Sequence, residues 1–186
     1  MKQKPPYRAI TQKPYCCVPA CITMVLNRRK IKHRTQEEIG HELGLVVPKN
    51  KVHLFNKVRT GRKPAAGYGT QVGRKQYSIS KYFKNNHIKL KEKYYSLNDI
   101  KDIKTFIKNH IRKNNDILVC FHNKTLFGFG DYGHVCPIES INTNAITLIN
   151  PEQDELKRKW TELPNLILAI KMHGKMRRGG FWIISK

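Results

Sequence analysis

Gly133-His134-Val135-Cys136-Pro137-Ile138-Glu139-Ser140-Ile141-Asn142-Thr143-Asn144-Ala145-Ile146-Thr147-Leu148-Ile149-Asn150-Pro151 reads as two apolar strands, 134–141 and 145–149. They fold back on each other at the turn-forming Asn142-Thr143-Asn144, a hairpin signal. Upstream, Ile117-Leu118-Val119-Cys120-Phe121 is a short continuous apolar run, the pattern of a buried strand. Downstream, Phe181-Trp182-Ile183-Ile184 follows Gly179-Gly180 and reads as a last strand. The stretch 164–169 fits helix and strand equally and stays open.

The first half of the chain carries the other periodicity. Cys21, Ile22, Val25 and Leu26 recur as one buried face of a helix over 18–29, with Pro19 in the first turn, where a missing N–H does no harm. Thr35-Gln36-Glu37-Glu38 is a capping box opening a short helix that Gly44 ends. From 46 to 76, Gly61, Pro64, Gly67, Gly69 and Gly73 sit among basic residues and predict a long loop. A short helix is expected over 78–83 and a strand over 88–94. Ser96 then caps a helix over 97–112 with Ile100, Ile103, Phe106, Ile107 and Ile111 as its apolar stripe. Helices first and strands second predict an α+β fold, helices packed on a mostly antiparallel sheet. One domain over 1–186 is the simplest division.

At 39% hydrophobic residues, 186 residues suffice for a core without disulfide staples. No run of about 18 apolar residues would make a membrane span, and the basic start of the chain lacks the apolar stretch of a secretory signal. The expected location is cytoplasmic. Five cysteines without a C-x-x-C pair read as free thiols, Cys120 and Cys136 as core residues. The net charge of +23 would favour nucleic acid, acidic proteins or anionic surfaces. The lysines are scattered, though, with denser pockets at 28–30, 89–93, 157–159 and 171–178, so a nucleic-acid partner is not favoured.

The chemistry gathers at Thr11-Gln12-Lys13-Pro14-Tyr15-Cys16-Cys17-Val18-Pro19-Ala20-Cys21. Cys17 lies at the expected helix start, where backbone N–H groups favour a thiolate and an imidazole can take its proton. Cys16 precedes it in extended chain, and Cys21, one turn on, reads as packed. The spacing of the three fits no common zinc pattern, and no metal or cofactor is needed. Of eight histidines, His134 opens an apolar strand, which places its ring at a rigid sheet edge. Asn150 ends the next strand at the same end of the sheet, where its amide would hold the imidazole in one tautomer. Gln12, five residues before Cys17, would reach an oxyanion together with the Cys17 N–H.

Cys17-Val18-Pro19-Ala20-Cys21-Ile22-Thr23-Met24 and Gly133-His134 to Asn150-Pro151 resemble the two motif blocks of the bacteriocin-processing, double-glycine leader peptidases. These are family thirty-nine of the cysteine peptidases, a branch of the papain-like superfamily. The resemblance implies a papain-like fold in a stand-alone form, with Cys17 as nucleophile, His134 as general base, Asn150 as orienting residue and Gln12 as oxyanion donor. Three features depart from the family pattern: Val18 stands for the usual glycine, Cys16 for the usual acidic residue, and the Gln12–Cys17 interval is one residue shorter. The expected activity is a cysteine peptidase working through a thioester on a peptide or protein substrate, with deamidation and acyl transfer open to the same groups. The alternative is a basic binding module on a degenerate peptidase fold, contacting nucleic acid or an acidic protein. Oligomeric state is not specified by any of these features.

Overall fold

The hairpin at 133–149 sits inside a sheet of six strands, all antiparallel, in a computed structural model that describes residues 1–153 and 155–186. In chain order the elements are α1 (Cys17–Arg28), α2 (Gln36–Glu42), β1 (Val46–Val47), β2 (Ala65–Ala66), α3 (Ile79–Asn85), β3 (Lys91–Tyr95), α4 (Ile103–Arg112), β4 (Asp116–His122), α5 (Asn123–Phe127), β5 (Gly133–Ile141), β6 (Ala145–Ile149), β7 (Arg158–Glu162), α6 (Leu163–His173) and β8 (Gly180–Ser185). The sheet runs β3-β8-β4-β5-β6-β7, while β1 and β2 form a separate parallel pair.

Alternation along β4 and β8 explains why their sequences are apolar throughout. Leu118, Cys120, Trp182 and Ile184 enter one core with α1, α2 and α3. Ile117, Val119, Phe121, Phe181 and Ile183 enter a second core with α4 and α6 on the opposite face. Both faces are covered, so no polar face survives to give a period of two. The α+β expectation holds, and helices flank the sheet on both sides.

Helix α1 is more deeply placed than a one-faced stripe predicts. Only Cys17 and Asn27 of its twelve residues escape full burial. It packs on β5 and α2, and Tyr7, Ala9 and Ile10 of the N-terminal segment join its core. A helix apolar on nearly all sides belongs in the interior.

Two expectations change in detail. The expected helix over 97–112 divides. The Ser96 capping box, closed by Asp99, holds only a 3-10 turn, and Ile100 is extended. A second N-cap, the Asp102 side chain accepting from the Thr105 N–H, starts α4. Within 46–76, β1 and β2 pair, and the glycine-rich stretch is tied down through Val46 N–H to the Gly69 carbonyl and Gly67 N–H to the Val47 carbonyl. The open stretch 164–169 lies within α6.

The basic run Arg28-Arg29 is structural. Asp116, fully buried at the start of β4, accepts from Arg28 Nη1 at 2.8 Å, from Arg29 Nε at 2.5 Å and from the Tyr7 hydroxyl at 2.7 Å. Arg28 also bonds Gln3 Oε1 and the Lys4 and Pro5 carbonyls, tying the N-terminal segment to the end of α1. Removing one partner of such a network strands buried charge at a cost of about 3–5 kcal/mol. Asp116→Ala is therefore expected to lower folding stability by about that amount, a large fraction of a typical 5–15 kcal/mol. Urea unfolding checks this; a loss below about 1 kcal/mol would show that the network adds little.

Candidate active site

Tyr15 holds a left-handed backbone (φ 63°) where the chain turns into α1, a conformation costly for a residue with a Cβ. The Cys16 N–H closes that turn on the Lys13 carbonyl at 2.9 Å. Cys16, the N-cap of α1, is fully buried among Leu45, Val47 and Phe55, and burial pushes its thiol far up; it is a packing residue. Val18, in place of a glycine, is accommodated because its side chain enters the core rather than the cleft. Cys21 is buried too, its Sγ–H directed at the Val135 carbonyl at 3.1 Å. Cys120 and Cys136 are buried as expected.

Cys17, the first residue of α1, is the one cysteine with exposure among the five. Burial pushes its thiol up to about 11, opposed first by the main-chain N–H of Val135 and then by that of Val18. Those N–H groups lie at the start of β5 and in the first turn of α1.

His134 is 1% exposed, with the edge of its ring system met by Phe121 (centroids 5.8 Å apart) and Tyr132 (6.4 Å). Its Nε2 lies 2.9 Å from Asn150 Oδ1. The Glu152 main-chain N–H, which can only donate, also meets that oxygen at 3.0 Å. Asn150 Oδ1 is thus the acceptor, His134 Nε2 carries the proton, and Nδ1 keeps its lone pair. Burial lowers the affinity of His134 for a second proton; the Asn150 bond and the Glu152 charge oppose this. Burial thus works against the charged form of both the thiol and the imidazole.

Gln12 is clamped to the same corner. Its N–H donates to the Pro151 carbonyl at 2.7 Å, and Gln36 holds both neighbours, bonding the Thr11 carbonyl and the Lys13 N–H. Its side-chain Nε2 donates to Glu152 Oε1 at 3.1 Å, leaving the second N–H of that amide for another acceptor. Of the four residues expected at the site, His134, Asn150 and Gln12 are thus joined through the turn after β6, and Cys17 opens α1, which packs on β5. Two more belong to the same corner. Tyr132, in the loop between α5 and β5, donates to Glu152 Oε2 at 3.3 Å. Glu152 was not signalled by any pattern; its position two residues after Asn150 was the only available cue. The Gly67–Gly69 loop reaches the other flank, where Tyr68 meets Tyr15 edge-on at 5.9 Å.

Among the described residues no group of three or more His, Cys, Asp or Glu is arranged to hold a metal ion, and no helix is long and apolar enough to cross a membrane. A model of the Peptidase_C39-like family matches residues 2–173. The crystal structure of a Bacillus anthracis protein described as a C39-like peptidase superposes with a TM-score of 0.63 at 10% identity, covering 100% of this chain and 97% of that one. At that identity the likeness carries the fold, which is papain-like. No curated protein matches by sequence.

The raised thiol has a direct consequence. Iodoacetamide labelling of Cys17, followed by mass spectrometry, is expected to climb about tenfold per pH unit between 7 and 9, because only the thiolate reacts. A rate flat across pH 6–9, the mark of a preformed ion pair, would contradict it.

Proposed function

The chain belongs to the Peptidase_C39-like family, and we propose that it is a cysteine peptidase whose nucleophile is Cys17. His134 acts as general base, Asn150 orients the ring, and the Gln12 amide with the Cys17 N–H receives the oxyanion. The observation that carries this reading is the His134–Asn150 bond, whose polarity is fixed by the Glu152 N–H. It leaves Nδ1 unprotonated at the start of β5, whose Val135 N–H favours the Cys17 thiolate.

With burial opposing charge on both groups, proton transfer accompanies attack. The Cys17 sulfur bonds the substrate carbonyl carbon while its proton passes to His134 Nδ1, and the carbonyl oxygen takes the negative charge. On collapse the C–N bond breaks, the leaving amine takes the proton from His134, and a thioester remains. Water then attacks the thioester with its proton going to His134; the C–S bond breaks and the sulfur recovers that proton. Gln12 can serve here because one of its N–H groups is held by Glu152 and the other is not needed for that bond.

The test is cleavage of a denatured-protein or peptide mixture followed by mass spectrometry. Cys17→Ala is expected to abolish it, and His134→Ala to lower kcat/KM by about a thousandfold or more. Gln12→Ala and Asn150→Ala should each cost about a hundredfold, the first through the oxyanion and the second through orientation. Cleavage that persists in Cys17→Ala would sink the reading.

The pH profile follows from the lowered proton affinity of His134. A base whose pKa is depressed stays neutral below its ordinary value, so kcat/KM should hold down past about pH 6.5 and fall only in more acidic solution. The same displacement makes folding stability intact above about pH 6.5 and lost as pH falls through the depressed value. An acid limb centred well above 6.5 would contradict the assignment of His134.

A further inference from the structure

One charged side chain of the site has no contacting partner of opposite charge among the described residues. Glu152 is half-buried, and its carboxylate oxygens accept from Gln12 Nε2 at 3.1 Å and from the Tyr132 hydroxyl at 3.3 Å. Both partners are neutral. The nearest cation in the bond network, Lys157, donates to the Glu152 main-chain carbonyl at 2.5 Å. Among the described residues no ammonium, guanidinium or imidazole nitrogen lies within 4.0 Å of the Glu152 carboxylate.

With 36 Lys and Arg against 13 Asp and Glu, cations are abundant. Glu37, Glu42, Glu92, Asp116, Glu139 and Glu155 each hold one. Among the described residues Glu38, Asp99 and Asp102 are likewise without one, but their carboxylates cap helices, and Glu162 is exposed. The hydrogen-bond partners of Glu152 do not require its charge, since a glutamine amide oxygen would accept from Gln12 or Tyr132 as well; at longer range the charge raises the proton affinity of His134. The charge even opposes ionisation of the nucleophile, pushing the Cys17 thiol up. No described residue supplies this carboxylate with a contacting cation, so one can come from a bound substrate.

We propose that Glu152 is a specificity-determining residue that receives the cationic side chain of a lysine or arginine immediately following the scissile bond. The inference rests on the peptidase reading of the site. In that reaction the imidazole delivers its proton to the leaving amine, so the leaving half of the substrate lies on the imidazole side of the sulfur. Glu152 belongs to that side: its N–H holds the same Asn150 oxygen that orients His134, and its carboxylate reaches Tyr132, whose ring meets the imidazole. The residue after the scissile bond is therefore the one whose side chain meets the carboxylate. Screening over about 8 Å in physiological salt limits the opposing net charge of the molecule, so the local carboxylate decides.

The full chain is incubated with a peptide library of mixed sequence, and the new N-termini are identified by mass spectrometry for wild type, Glu152→Gln, Glu152→Lys and Cys17→Ala. Wild type is expected to favour Lys and Arg at the new N-terminus over Gln and Met, residues of similar length, by about tenfold, the worth of one bond to a charged group. Glu152→Gln keeps the hydrogen-bonding shape and should lose the preference; Glu152→Lys should shift it toward Asp and Glu. The readout is a ratio within each variant and so is independent of its absolute rate. Cys17-dependent cleavage with no basic preference, or a preference that survives in Glu152→Gln, overturns this inference alone. Absence of any Cys17-dependent cleavage overturns the peptidase reading and this inference with it.

Discussion

Everything at the candidate site depends on how α1 is seated. Ten of its twelve residues are buried, so it cannot slide or rotate without exposing apolar surface or opening voids on several sides at once. Its C-terminal end is locked by Arg28 and Arg29 on Asp116, its flank lies on β5, and its first residue is Cys17. Over twelve residues the helix rises about 18 Å. An ion-pair network at one end of that span therefore helps set where a thiol stands at the other. The N-terminal segment is part of the same clamp, with Tyr7 on Asp116, Gln3 on Arg28 and the Gln3 N–H on the Glu139 carbonyl of β5.

The electrostatics of the site follow from that depth. Burial works against the charged form of both thiol and imidazole, while the N–H groups of Val135 and Val18 favour negative charge on the Cys17 sulfur. Such an arrangement stabilises charge as it forms more than it stabilises a resting ion pair. The turn after β6 supplies the remaining control through three successive residues. Asn150 Oδ1 accepts from the His134 ring, the Pro151 carbonyl holds the Gln12 backbone, and Glu152 holds the Gln12 side chain.

Much of the architecture could be read in advance because the chain switches periodicity. The hairpin at 133–149, the strands around 117–121 and 181–184, and the helix beginning near Cys17 all follow from it. The misses have local causes. Arg158-Lys159-Trp160-Thr161-Glu162 forms the edge strand β7, where only Thr161 is buried and most side chains face outward, so no apolar alternation marks it. The stripe over 97–112 was real, but two competing caps, Ser96 and Asp102, break the helix between them. The Arg28-Arg29 pair looked like part of a surface charge cluster, because its partner Asp116 is 88 positions from Arg28 along the chain.

By itself the sequence determined the helix and strand periods, the capping signals and the order of a thiol, an imidazole and an amide along the chain. These are local properties, set by which residues sit three, four or two positions apart. Only the tertiary structure decided which imidazole nitrogen stays unprotonated, since that depends on the Glu152 N–H fixing the Asn150 amide. It also decided that Cys16 is buried while Cys17 keeps its exposure, although the two are adjacent. And it placed a carboxylate without a contacting cation against Gln12 and Tyr132. Each of these is a matter of distance between residues far apart in the chain, and distance of that kind is created by packing.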